Sequence, residues 1–159
     1  MTDYRSPAGA SEGPGDGQPD ISWLIGQLVR EVPTITAVVL VSADGLQLAS
    51  SGHLSREHTE SVAALAAGFL GITGQLGGLL QLGAPENLSI RYPHGHLAFL
   101  RIDDPSGEFV AALLVSAQPQ TQIGQLGYAM TTFSQAVGHA LTPETRHALH
   151  QNTLPAPAR

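Results

Sequence analysis

Two runs of β-forming residues meet at Asp44-Gly45 in the stretch Ala37-Val-Val-Leu-Val-Ser-Ala-Asp-Gly-Leu-Gln-Leu-Ala-Ser50. Asp-Gly in that setting predicts a two-residue hairpin, because both central residues of a type I′ turn need φ > 0. Such a turn pairs Ala43 with Leu46, Val41 with Leu48 and Val39 with Ser50. The register lays a mostly apolar face on one side, and something must cover it.

The flanking segments supply the cover. Ile21, Leu24, Ile25, Leu28, Val29 and Val32 follow helical spacing, with Asp20 placed to cap the N-terminus and Pro33 to end the helix. After the hairpin, Ser55 caps a long helix reaching roughly to Leu82, with Glu57 and Glu60 in its first turn to suit the dipole. Pro85 closes that region, and Leu88, Ile90 and Tyr92 alternate as a strand. A tight turn at His94-Gly95 leads to a strand over Leu97 to Ile102. The turn Asp103 to Gly107 then leads to Phe109-Val-Ala-Ala-Leu-Leu-Val115, apolar throughout as a strand covered on both faces should be. Ile123, Leu126, Met130, Phe133, Val137 and Leu141 line a last helix. The order is helix, hairpin, long helix, three-stranded meander, helix.

A chain of 159 residues is enough for one domain with a substantial core. Residues 1–19 are rich in Gly, Pro and Ser and read as a disordered tail, residues 20–141 as the folded domain. Residues 142–159 read as a second tail with room for a helical turn or two. There is no cysteine, so disulfides and thiolate metal sites are excluded. The seven basic residues are all Arg and the net charge is −6, which argues against nucleic acid as a partner. No basic segment followed by an apolar run marks a secretory signal, and the expected location is cytoplasmic.

Val62 to Leu82 carries no charged residue. Its five glycines and two glutamines, and the lack of flanking Lys, Arg and aromatic anchors, favour a buried helix over a membrane span. Val62, Leu65, Phe69, Ile72, Leu76 and Leu79 fall on one side, expected to pack on the sheet. Ala63, Ala67, Gly71, Gly74 and Gly78 fall on another, a smooth strip that a second helix could approach closely. Each glycine costs a helix interior about 1 kcal/mol relative to Ala. An uncharged surface of this size is expected to be a subunit interface.

Signs of chemistry are weak. The chain has neither a GxxxxGK[ST] loop nor any Lys, so it is no Walker-type nucleotide enzyme. His94-x-His96 offers two ligands without a third and reads as a solvated turn. Asp103-Asp104 with Glu108 reads as turn chemistry before a cation site. Arg91 and Arg101 could each pair a carboxylate. No catalytic, metal-binding or cofactor-binding residue is assigned, and no cofactor is expected.

The hairpin segment Ala37 to Ser50, followed by the long apolar helix, the meander and the last helix, resembles the Roadblock/dynein light chain domain in its bacterial form, over residues 20–141. The resemblance implies an α+β fold, with a five-stranded antiparallel sheet sandwiched by helices in the order α-β-β-α-β-β-β-α. It implies a homodimer in which the long helices pack together and the third strands pair. Carried onto this sequence, the interface residues are Ala63, Ala67, Gly71, Gly74 and Gly78 with Leu88, Ile90 and Tyr92. Relatives of this kind are typically regulators of small Ras-like GTPases. The Lys-free composition resembles actinobacterial proteins, where the module also includes a sensor-kinase-like protein. The expected function is therefore a non-enzymatic homodimeric regulator or adaptor of such a GTPase, modulating its hydrolysis and drawn to the membrane only by its partners. The alternative is a small-ligand-sensing or scaffold module. A sensor needs converging polar groups in a pocket, and the apolar core pattern offers none.

Overall fold

Asp20 caps α1 (Ile21–Glu31), its carboxylate accepting the Ser22 N–H at 2.9 Å. Ile21, Leu24, Ile25 and Leu28 form the buried side of this helix, and the chain leaves it just before Pro33, where αR is disfavoured. The computed structural model describes residues 20–153; the tail expected over 1–19 and the last residues, 154–159, lie outside the described residues.

β1 (Ile35–Ser42) and β2 (Gln47–Gly52) form the expected hairpin, but with a different turn. Of the two central residues only Gly45 has positive φ, at 87°. Val41 pairs with Gln47 rather than Leu48, after a register shift at Leu40, although Val39 does face Ser50. The cause is Ser42. Its hydroxyl donates to the Asp44 carboxylate and accepts the Leu46 N–H, so a side chain completes the turn that the backbone alone was expected to make. A wider loop with one left-handed glycine and a bulge results.

β3 (Asn87–Tyr92), β4 (Gly95–Asp103) and β5 (Phe109–Ala117) complete an antiparallel sheet of order β2-β1-β5-β4-β3. β5 lies at its centre and is buried from Val110 to Val115. The β3–β4 turn is Pro93-His94, one residue earlier than expected, and Gly95 already pairs with Tyr92. Gly95 is needed there for another reason: a Cβ would sit 2.6 Å from the Ala117 carbonyl oxygen.

α1 and α3 (Ile123–Ala140) cover one face of the sheet over the larger core, which includes Val38, Leu40, Leu113, Leu126 and Phe133. The last helix, α4 (Pro143–Thr153), packs beside β2. Among the described residues the other face is covered only by α2 (Arg56–Leu79), capped by Ser55, whose hydroxyl accepts the His58 N–H. The smaller core there contains Val39, Val41, Ala63, Ala66, Phe99 and Leu114.

α2 bears out only part of the reading of a buried helix with its large residues on the sheet: Val62 and Phe69 pack against the smaller core, and the other four do not. Its buried residues are Thr59, Ala63, Ala66 and Gly77, whereas Leu65 is 73% exposed, Ile72 60% and Leu79 81%. The sheet beneath already supplies bulk from Val39, Val41, Phe99 and Leu114. A helix settles on such a surface through small residues, because close packing leaves no room for bulk on both sides.

Gly77 shows how tightly the end of α2 is held. A Cβ there would run into the carbonyl oxygen of Gly83, in the segment leading to β3. Alanine gains about 1 kcal/mol in helix propensity, but displacing that backbone costs about 1–3 kcal/mol. Gly77→Ala is therefore expected to lower the melting temperature and to speed amide exchange over residues 77–86. An unchanged melt and exchange pattern would show that the segment yields freely.

Candidate functional site

An extended uncovered feature of the described residues is apolar. α2 sits mainly over β1 and β2, and it covers the α2-side face of β4 and β3 only in part, through Val62 and Phe69. An open groove runs between the helix flank and these strands, lined by Val62, Leu65, Phe69, Ile90, Tyr92, Leu97 and Phe99. Phe69 and Phe99 meet across it with ring centroids 5.3 Å apart. Leu65, Ile72, Leu76 and Leu79 continue along the helix at helical spacing, all more than half exposed. β3 is the sheet edge, its outer N–H and C=O groups unpaired with any other strand of the described residues. An exposed apolar face beside an open edge marks a protein-interaction surface.

Of the residues expected at the interface, the structure brings Leu88, Ile90 and Tyr92 to one face of this edge strand, the first two half-buried and Tyr92 exposed. The small residues of α2 divide. Ala63 is buried on the sheet and so is not part of the outward surface. Ala67 is half-buried beside the hairpin, its Cβ 2.9 Å from where a Cβ on Gly45 would stand. Gly71, Gly74 and Gly78 have open space at their Cβ positions. The residues that sequence reasoning assigned to the wrong face are Leu65, Ile72, Leu76 and Leu79. The signal was present: a sheet face rich in Val, Phe and Leu calls for the small side of the helix.

Other candidates resolve into structural roles. His96 is buried rather than solvated; its Nε2 donates to the Pro119 carbonyl oxygen at 3.0 Å and pins the loop before α3. His94 is exposed. Asp104 caps its own turn: the Ser106 hydroxyl and the Glu108 N–H hold its carboxyl below the usual carboxylate range. Arg101 is paired through Nε with Asp103 at 2.5 Å and lies over the Phe109 ring, 5.0 Å from its centroid. It borders a cavity of about 230 Å³ with Gly71, Gly74 and Pro85, lined mostly by apolar atoms. Among the described residues no group of three His, Asp or Glu side chains is placed to hold a metal ion. α2 is also the one described helix long and apolar enough to cross a membrane.

Comparison with known proteins fits this architecture. Residues 21–117, from α1 through β5, match the Roadblock/LC7 domain family model. No curated protein matches by sequence. Among solved structures, the chain is similar to a Roadblock/LC7 domain from Streptomyces avermitilis, with 28% identity over 74% of this chain and 94% of that one and a TM-score of 0.65. It also shares its fold with Myxococcus xanthus MglB, at 21% identity over 74% and 91% of the two chains and a TM-score of 0.66. The gliding protein MglB of Thermus thermophilus has the same fold, at 16% identity over 83% and 89% and a TM-score of 0.64. The chain belongs to the Roadblock/LC7 domain family.

Proposed function

We propose that the protein is a homodimeric, non-enzymatic regulator or adaptor of a small Ras-like GTPase, working in the cytoplasm within a bacterial signalling module. The observation that carries the reading is the uncovered apolar face of α2 continuous with the open edge of β3. A second copy answers both needs at once: its β3 satisfies the edge, and its α2 fills the groove above Ile90 and Phe99. Membership of the Roadblock/LC7 family supports the GTPase as partner, and a sensor-kinase-like protein is proposed as a further component of the module. Recruitment to the membrane is then the work of those partners, with α2 occupied by the dimer.

A regulator shifts a switch only through its differential affinity for the two states. Titrating a co-expressed Ras-like GTPase, loaded with GDP or with a non-hydrolysable GTP analogue, is expected to show binding that differs by about tenfold or more between the forms. A change in hydrolysis rate should accompany it. The protein alone should bind no GTP, having no phosphate-cradling loop and no Lys. Equal affinity for both forms with unchanged hydrolysis and exchange would reduce the role to a scaffold.

A further inference from the structure

Under the C-terminal half of α2, at the ends of β1 and β4 and the start of β5, lies the cavity of about 230 Å³ that Arg101 borders. Its walls are fastened to one another. The Ala43 N–H donates to the Val110 carbonyl oxygen at 3.1 Å and ties the hairpin to β5. The Arg101 N–H donates to the Glu86 carbonyl oxygen at 2.8 Å and ties the segment carrying Ala84 and Pro85 to β4. The space is therefore part of the fold, and it opens to solvent past the exposed Ala43, Gly71 and Ala84. Gly71 lies two residues beyond Phe69, about 200° around a helix of 3.6 residues per turn, so this cavity and the groove at Phe69 are on opposite flanks of α2. The cavity is complete within one copy.

The lining is mostly apolar, and among the described residues Arg101 is its one ionisable side chain. That side chain is held from two sides, by the Asp103 carboxylate at Nε and by the Phe109 ring under the guanidinium. Asp103 does not line the cavity. Among the described residues neither Nη of Arg101 has a hydrogen-bond acceptor, and neither is sealed from solvent. Ser42 lines the cavity too, but its hydroxyl proton goes to Asp44, so donation falls to Arg101. Gly71 and Gly74 leave the helix wall open: a Cβ on either would meet nothing within 4 Å. Glycine disfavours a helix interior, and the chain's own packing does not ask for it here. A closed apolar cavity of about 150 Å³ takes benzene, and the larger volume here has room for such a ring with a short acidic arm. We propose that this cavity binds a small carboxylate with a flat apolar body, the body among Leu70, Pro85 and Phe109 and the carboxylate on the Nη groups of Arg101. An anion is favoured because a fixed guanidinium offers two unpaired donors in mostly apolar surroundings, where a charge-assisted hydrogen bond is stronger than in water.

The test titrates the full chain with phenylacetate, 2-phenylethanol and 2-phenylethylamine and follows the amide chemical shifts. Phenylacetate is expected to saturate with a dissociation constant of about 1 mM, moving the signals of Ser42, Gly71, Gly74, Arg101 and Phe109. It should bind roughly tenfold tighter than the alcohol or the amine. Arg101→Gln should bring the three probes together. Gly74→Leu should fill the cavity and abolish binding while raising the melting temperature by a few degrees, the opposite of what a damaged fold would do. Absence of saturable shifts at these residues, equal binding of the three probes to the wild type, or binding that survives Gly74→Leu overturns the site. A Gly74→Leu variant that melts lower than the wild type overturns it as well, because the space is then filled by the chain's own packing.

Discussion

Leu76→Glu is expected to convert the protein from dimer to monomer while leaving the fold of each copy intact. Leu76 is 51% exposed on the outward side of α2, so in a lone copy the new carboxylate stays in water and costs the fold little. In the proposed dimer the same side chain is desolvated twice, once per protomer. At about 2–3 kcal/mol for each carboxylate buried without a partner, the dissociation constant rises by about 10³ to 10⁴. Light scattering at micromolar concentration should then give the monomer mass, with a far-UV spectrum like the wild type. The melting temperature falls somewhat even so, because separating the copies removes the stabilisation that association confers by mass action. A variant that keeps the dimer mass would place the interface elsewhere.

What the sequence made legible follows a physical divide. Local rules located the elements because their signals are local: Asp20 and Ser55 cap their helices as expected, and the apolar run of β5 marks the central strand. Turn geometry was less legible. Asp44-Gly45 suits more than one loop, and the Ser42 hydroxyl, three residues before Gly45, decided which one formed. His94-x-His96 looked like two equivalent exposed rings, but pairing with β5 buries His96 against the loop leading to α3. The orientation of α2 was the least legible of all. Periodicity separates two helical faces; which of them meets the sheet depends on the bulk opposite, and that bulk comes from β1, β4 and β5. The burial of Ala63 and the exposure of Leu65, Ile72, Leu76 and Leu79 are what periodicity alone left unread.

Ala63 separates the two sides of α2 by experiment. At 1% exposure it sits on the sheet among Val39, Val41 and Leu114, so Ala63→Glu places a carboxylate where neither water nor a cation reaches it. The cost is about 3–5 kcal/mol, and the melting temperature should fall by roughly 10 °C or more. Acidification should recover part of the loss, because burial penalises the charged form and the protonated carboxyl is cheaper to hold. Ala63→Leu provides a control without charge: overpacking there costs about 1–3 kcal/mol, whereas the same change at an open position of the helix costs little. The contrast with Leu76→Glu carries the information. One substitution on α2 should lower the stability of the single copy, and the other, on the opposite side of the same helix, should mainly break the association. If Ala63→Glu instead gave a stable monomer with an unshifted melt, the small side of α2 would be the side that faces a second copy.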